Sequence, residues 1–401
     1  MTATSALSAS SPLADWLAYQ ERTHPRAIEL GLERSRAVAQ RLGLLPAQAT
    51  TLTVAGTNGK GSSVTLAAGI YQAAGYKVGR YLSPHLLRYN ERVAVDGADV
   101  PDAALCRAFA AIEAARGDIA LTYFEFGTLA ALWLFRDAAV EVQVLEVGLG
   151  GRLDAVNIVD ADCALITNIG LDHTDWLGGD RDSIGYEKAG IMRSGRPAVS
   201  VEPQPPQRLL EHAAAIGAPL RRLDRDYELV RHAGGTWDWR GANSSYAGLP
   251  APALGGEVQY RNAAGVLAAV EALQPLRPVP EAAIRAALPA LRLPGRYQRV
   301  GDTVLDVAHN VESAAVLADN LRGEPAAGRN WLVLGMFADK PVEGVCALLA
   351  PLVQGAWFGT LPPPRGLSAE ELRARAAAAG LHGEAAGSVA QAYRLAQARA
   401  A

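Results

Sequence analysis

The chain is 401 residues long, half of it hydrophobic and a fifth of it charged, with a formal net charge of −3. That length exceeds a single small core and sets an expectation of two domains. The balanced charge, without a long basic run, argues against nucleic acid or an anionic membrane as partner. Cys106, Cys163 and Cys346 lie far apart with no metal-ligand spacing, which points to a reducing compartment and to small buried thiols.

The N-terminus lacks the basic-then-apolar order of a secretory signal. The most apolar helix-like stretch, 126–135, is far shorter than a membrane span, so the cytoplasm is the expected location. Residues 1–12 are rich in Ser, Ala and Thr and are expected to be disordered. A helical pattern over 15–45 is interrupted near His24-Pro25 and at Gly31. The irregular piece at 28–32 reads as a joint between two helices more readily than as a ligand cover.

A β-branched run, Leu52-Thr53-Val54, then ends in Gly56-Thr57-Asn58-Gly59-Lys60-Gly61-Ser62-Ser63, and 64–74 reads as a helix. Strand, Gly-rich turn and helix together present backbone N–H groups and a helix N-terminus to a phosphate. Lys60 would add a point charge there, and Ser62 or Ser63 an oxygen near an accompanying Mg²⁺. The usual phosphate-loop spacing is not met, since Val54 and Gly61 stand at two of its fixed positions. Glycines that merely permit a turn are the alternative, and the placement between strand and helix favours phosphate.

Further strands are expected at 77–82, ending in Ser83-Pro84-His85, at 92–95 as an edge, and at 141–147 and 162–169; helices are expected at 101–115 and 122–136. This order argues for a doubly wound, mostly parallel α/β sheet. Its ligands then lie beyond the carboxyl ends of the strands. Glu146 closes an apolar strand beside the phosphate loop, a usual place for a Mg²⁺ carboxylate; capping a following helix is the weaker reading. Among the acids Asp172 and Asp175, His173 is evenly balanced between a structural role and a cation or proton role. The aromatics around Thr122-Tyr123-Phe124-Glu125-Phe126 suggest core packing first and a ligand platform second. Lys188 reads by itself as a solvated surface lysine.

From residue 190 on, the pattern predicts a strand at 197–201, a helix at 207–216, a hairpin of 227–230 and 236–240 about Gly234-Gly235, and helices at 260–273 and 280–288. The break at 291–296 marks the domain boundary, giving 1–293 and 294–401. Beyond it the alternation restarts with strands at 303–307, 331–335 and 356–359, helices at 312–321 and 342–352, and two Ala-rich helices from 368 to the end. Asp306-Val307-Ala308-His309-Asn310 and Asp339-Lys340 follow strands in this half and would face an interdomain cleft if that sheet docks end-on.

Taken together, Gly56 to Ser62, Ser83-Pro84-His85, Glu146 to Asp154, Asp172-His173-Thr174, Glu187-Lys188-Ala189-Gly190, Leu293-Pro294-Gly295-Arg296 and Asp306 to Asn310 resemble the folylpolyglutamate synthase family. Their order runs from about residue 14 to nearly the end, and the bacterial bifunctional branch is the most similar. Ile28 to Arg34 and Leu121 to Glu125 look like its pteroate-binding parts. The resemblance implies a Mur-ligase-like P-loop domain followed by a smaller Rossmann-like domain of glutamate-ligase type. It also implies an ATP-dependent ligase that adds L-glutamate to dihydropteroate and reduced folates through an acyl phosphate.

By the same resemblance, Lys60 and the loop residues Gly56, Thr57, Asn58, Gly59, Gly61 and Ser62 hold the ATP phosphates. Ser83 and Glu146 bind one Mg²⁺ and His173 a second. Lys188 matches a carbamylated lysine, and Asn262, Arg296, Asp306 and His309 lie near the nucleotide. Thr122, Phe124, Glu125, Leu153, Asp154 and Ala155 contact the pteroate. The partners implied are these small molecules, with neither nucleic acid nor membrane, and the protein is expected to be a monomer. Family members usually carry one more strand after the point where this chain ends, so the expectation is either that the sequence stops short of it or that the second sheet lacks an edge element. Competing readings are a muramyl-peptide type of ligase and a nucleotide switch that ligates nothing. The nearest match to the switch's guanine-reading motif, Thr167-Asn168-Ile169-Gly170, lacks the required lysine.

Overall fold

The computed structural model describes residues 7–26, 28–324 and 328–400. The chain divides into two compact units, Met1–Ala253 with Glu257–Leu293, and Leu254–Gly256 with Pro294–Ala401. In the first unit α1 (Leu13–Thr23) and α2 (Glu33–Arg41) lead into β1 (Thr50–Ala55), α3 (Lys60–Ala73), β2 (Val78–Tyr81), β3 (Val93–Val95) and β4 (Ala98–Asp99). Next come α4 (Asp102–Arg116), α5 (Tyr123–Asp137), β5 (Val142–Glu146), β6 (Cys163–Ile166), α6 (Thr174–Leu177), α7 (Arg181–Ala189), β7 (Ala198–Ser200), α8 (Gln207–Ala215) and β8 (Leu220–Arg222). A three-stranded antiparallel sheet, β9 (Glu228–Arg231), β10 (Trp237–Arg240) and β11 (Ser245–Leu249), precedes α9 (Glu257–Leu273) and α10 (Glu281–Ala290).

The main sheet has the order β4-β3-β2-β5-β1-β6-β7-β8. The strands from β2 to β8 run parallel, and β3 and β4 add antiparallel edges. β1, β5 and β6 are buried along their whole length, as strands covered on both faces are; β6 is wholly apolar, whereas β1 also buries three threonines and β5 buries Gln143 and Glu146. Trp16, Phe109, Phe126 and Phe135 fill the core where α1, α2, α4 and α5 meet Tyr81 and Leu145 of the sheet. Ile184, Leu209 and Ala213 pack α7 and α8 on Ala164, Ile166 and Ala198. The doubly wound expectation therefore holds. All of Cys106, Cys163 and Cys346 are buried and free. No helix among the described residues is long and apolar enough to cross a membrane.

In the second unit β12 (Gln298–Val300) and β13 (Thr303–Leu305) form an antiparallel pair. α11 (Val311–Gly323), β14 (Trp331–Leu334), α12 (Val342–Leu349), β15 (Gly355–Gly359), α13 (Ala369–Ala378), β16 (Gly383–Ala386) and α14 (Val389–Ala400) follow. The parallel sheet is β14-β15-β16, closed over Ala314, Val345, Phe358 and Leu372.

Several local expectations are corrected. Residues 1–6 lie outside the described residues, but 8–12 form a turn against α1, where Trp16 Nε1 donates to Ser8 O at 3.1 Å. The edge strand is β4, not 92–95: Asp96 (φ 53°) and Gly97 (φ 81°) turn the chain back into a short hairpin, the two-residue geometry an Asp-Gly pair favours. The strand at 303–305 pairs with β12 and stays outside the parallel sheet. A strand, β16, separates the two Ala-rich C-terminal helices. Its Gly-Glu-Ala-Ala sequence has no β-branched residue, so only pairing with β15 makes it a strand. β8 and β11 were missed for a similar reason, being three residues with two arginines and a run containing Ala and Gly.

Candidate active site

Strand register builds the site. Val54 of β1 lies opposite Glu146 of β5, Ala55 opposite Ile166 of β6, and Tyr81 of β2 opposite Leu145. The residues just beyond β1, β2, β5 and β6 therefore emerge at one edge of the sheet. The Ser83 N–H donates to Glu146 Oε2 at 2.9 Å. A Cβ added to Gly61 would stand 3.7 and 3.8 Å from the two Glu146 carboxylate oxygens. Ser83, the buried Glu146 and the start of α3 are thus one cluster.

The loop before α3 is held from behind by the segment after β6. Thr57 N donates to Asn168 O at 2.9 Å and Asn58 N to Asn168 Oδ1 at 2.6 Å, while Thr167 Oγ1 donates to Asn58 O at 2.6 Å. Gly56 is required because a Cβ there would come within 1.7 Å of Thr167 Oγ1. Gly59 has a φ of 84°, and the buried Asn262 amide of α9 would meet a Cβ there at 2.9 Å. Lys60 Nζ arches over the loop to Gly56 O (2.9 Å) and Thr57 O (3.1 Å). Ser62 is buried in the first turn of α3, and that helix has no side-chain cap at Gly59. The Gly-rich cradle and uncapped helix start fit the phosphates of a nucleotide. Thr167 and Asn168 belong to the site's framework, a role for which the sequence offers no signal beyond an incomplete guanine motif.

Lys188 is buried, contrary to its reading as a surface lysine. The reason is the close approach of the 148–154 loop to the end of α7. Arg152 N donates to Glu187 O at 2.8 Å, and Arg152 pairs with the Glu187 carboxylate at 2.8 Å. A Cβ on Gly151 would strike Glu187 O at 2.7 Å, and one on Gly190 would strike Arg152 Cβ at 2.4 Å. Burial, and then the charge of Lys60, push the Lys188 amine down to about 7, against the opposing pull of Asp172 and Asp154. These charges act on one another because Lys60, Asp154, Asp172 and Lys188 share one low-dielectric neighbourhood. His173 follows Asp172, is exposed and holds a left-handed backbone (φ 53°) before the short α6.

Of the residues expected on the pteroate, Thr122 and Glu125 form a reciprocal capping box at the start of α5. The buried Glu125 carboxylate also accepts from Arg34 Nε and Ser35 Oγ, each at 3.1 Å. Arg34 in turn reaches Glu29 at 2.9 Å, and Gly31 N donates to Leu153 O at 3.2 Å. The 28–32 joint is therefore tied to both α5 and the glycine loop. Buried Asp154 accepts from the N–H groups of Gly148, Leu149 and Val156 at 2.9–3.0 Å. Burial pushes its carboxyl up to about 6, although those N–H groups and Lys60 pull downward. Ala155 is buried, whereas Phe124 and Leu153 are half-exposed. The Phe124 ring lies against Gly148, where a Cβ would come within 2.6 Å.

In the second unit the Asp306 carboxylate accepts from Tyr297 N and Ala308 N, both at 2.8 Å. Burial raises it above the usual carboxylate range, against the backbone bonds and the charges of Arg296 and His309. Arg296, Asp306 and His309 thus form one group, with His309 Nδ1 2.9 Å from Val307 O. No trio of His, Cys, Asp or Glu among the described residues is gathered tightly enough to hold a metal by itself. One carboxylate and one hydroxyl beside a phosphate cradle fit Mg²⁺, which keeps waters and takes phosphate oxygens as its remaining ligands.

Comparison with known proteins decides the family. The dihydrofolate synthase/folylpolyglutamate synthase of Escherichia coli K12 is 48% identical over 369 residues, covering 91% of this chain and 85% of that protein. The chain belongs to the dihydrofolate synthase/folylpolyglutamate synthase family. Matches to the Mur ligase middle domain over residues 54–202 and to the Mur ligase, glutamate ligase domain over 295–401 accord with it. A structure of E. coli FolC in complex with DHPP and ADP superposes with a TM-score of 0.93 at 47% identity, covering 98% of this chain and 93% of that one. A bifunctional folylpolyglutamate synthase/dihydrofolate synthase with Mn, AMPPNP and L-glutamate bound gives 0.90 at 46% identity, covering 98% and 93%. Dihydrofolate synthase/folylpolyglutamate synthase sequences thus match this chain across both compact units.

Proposed function

We propose that this chain is an ATP-dependent ligase that joins L-glutamate to dihydropteroate, giving dihydrofolate, and to reduced folates, giving polyglutamates. The observation that carries the reading is the meeting of Ser83 and Glu146 with the N-terminus of α3, in a chain 48% identical to a dihydrofolate synthase/folylpolyglutamate synthase.

The carboxylate of the folate substrate attacks the γ-phosphorus of ATP, ADP leaves, and the glutamate amine then displaces phosphate from the acyl phosphate. The first step brings several negative charges together, so its barrier falls where donors and cations are already in place. The amides from Gly56 to Ser62 and Lys60 hold the phosphates, and Asn262 braces the loop at Gly59. Ser83 and Glu146 would hold one Mg²⁺ and His173 a second, and the ions would supply positive charge that neutralises the phosphates. Lys188, whose amine burial pushes down to about 7, has a substantial neutral fraction near neutral pH, the form that adds CO₂, and its carbamate would supply a negative group for a cation.

Phe124 and Leu153 offer their exposed surfaces to the flat pterin. Thr122, Glu125, Asp154 and Ala155 act behind them by fixing α5 and the glycine loop. Arg296, Asp306 and His309 are further candidate nucleotide-binding residues. The enzyme works as a monomer in the cytoplasm, a compartment that keeps its three thiols reduced.

Steady ADP release is the test. It should require dihydropteroate or tetrahydrofolate together with L-glutamate, be absent with muramyl substrates, and fall at least 100-fold in Glu146→Gln. ADP release that ignores the folate substrate would overturn the assignment.

A further inference from the structure

Beyond β6 the chain leaves the sheet, and the backbone groups of Ile169 and Gly170 have no ladder to join. Side chains take them instead. The Ile169 N–H donates to Glu202 Oε2 at 2.9 Å, and Arg181 Nε donates to the Ile169 carbonyl at 2.9 Å. The Thr57 hydroxyl takes both groups of Gly170, accepting from its N–H at 3.0 Å and donating to its carbonyl at 3.1 Å. Arg181 Nη2 and Glu202 Oε1, 3.0 Å apart, close the bracket around Ile169.

These three side chains come from separate elements. Ser200 of β7 lies opposite Ile166 of β6, so Glu202 emerges just past β7 at the same edge of the sheet. Its carboxylate also accepts from Gln204 N at 3.2 Å. Arg181 is the first residue of α7, and Thr57 belongs to the phosphate loop. Ile169 is itself buried, so losing either partner would strand a peptide group away from water.

The bracket stands at the root of two residues named above for the second cation. His173 follows Gly170 closely, and its carbonyl starts α6 by accepting from Trp176 N and Leu177 N. Lys188 lies two helical turns after Arg181, about 10 Å along α7 and on the same face of the helix. We propose that Arg181 and Glu202 are positioning residues for that cation, fixing His173 through the Ile169 peptide and Lys188 through the start of α7. Thr57 ties the same segment to the phosphate loop, so cation and phosphates are set against one scaffold. The Arg181 side chain is 43% exposed, and such an ion pair adds little stability by itself. Its effect lies in the two backbone groups it holds in place. The inference rests on the reading of His173 and Lys188 as the second ion's surroundings.

The experiment counts Mn²⁺ on the full chain with saturating AMPPNP and bicarbonate, from the electron paramagnetic signal of the free ion. Wild type should bind two Mn²⁺. Glu202→Ala and Arg181→Met should each weaken one of the two at least tenfold and leave the other within threefold. Leu105→Ala, in the core under α4, should lower the melting temperature and leave both constants within threefold. Thermal melts identify folded variants, and if Glu202→Ala does not fold, Arg181→Met decides. The proposal is overturned if no folded variant of the pair shows that selective loss, or if Leu105→Ala shows it too. A single Mn²⁺ on wild type would remove the second ion and this proposal with it, while the ligase assignment would still be judged by folate-dependent ADP release.

Discussion

At the scale of a residue, Lys188 shows how neighbours set chemistry. Its amine is pushed down to about 7 by burial and by Lys60, so between pH 7 and the ordinary lysine value the unfolded chain binds the proton and the folded chain does not. Stability therefore rises with pH across that window, and the burden of the buried amine is complete below pH 7. Each pKa unit corresponds to about 1.4 kcal/mol, which makes the burden several kcal/mol in the acid range. Lys188→Met should raise the melting temperature of the ligand-free chain at pH 6, with a gain that shrinks steadily towards pH 10, while abolishing ligation. Chemical denaturation across pH 6–10 checks it; a gain independent of pH would mean that Lys188 does not titrate in this window. Glu146, by contrast, was legible as it stood. A carboxylate that ends an apolar strand has few structural uses, whereas a lysine in a helix has many.

At the scale of an element, the loop from Gly148 to Asp154 is a rigid part of the site. Asp154 gathers the N–H groups of Gly148 and Leu149 within it and of Val156 just beyond it, and Gly151 lets the loop lie on the backbone of Glu187 and Lys188. Gly151→Ala puts a methyl 2.7 Å from a carbonyl oxygen that cannot turn away. It should cost roughly 1–3 kcal/mol and reduce ligase activity by displacing Lys188. Gly179→Ala, where nothing lies within 4 Å, should leave both stability and activity close to wild type. Differential scanning calorimetry and the ADP-release assay on the two variants compare these outcomes directly. The glycines themselves were visible in the sequence, and their partner on α7 was not, because the two segments lie about 35 residues apart.

At the scale of the whole molecule, two compact units share one chain, and the phosphate loop belongs to the first. A nucleotide at 100 times its dissociation constant stabilises the form that binds it by about 2.7 kcal/mol. ADP with Mg²⁺ should therefore raise the unfolding transition of the unit that carries Gly56 to Ser62. Hydrogen exchange read separately for 7–293 and 294–400 assigns the transition, and protection confined to the latter would remove the loop from nucleotide binding. The sheet's strand order was foreseeable only in class. The β-branched and apolar residues of β1, β5 and β6 announced buried parallel strands, whereas the position of β5 between β2 and β1 depends on pairing across long separations.

What the sequence determined by itself was the local chemistry: the Gly-rich turn ahead of α3, the carboxylate ending β5, the polar groups after β2 and β6, and the helix and strand periods between them. These follow from backbone sterics and hydrophobic repeat, which act over a few residues. Tertiary structure alone decided which polar groups stand in the site and which hold it up. Asp154 and Glu125 became buried acceptors, Lys188 lost its solvent, and Gly383 to Ala386 became a strand. Each outcome depends on segments distant in the chain excluding water together, and short-range propensity carries no record of that.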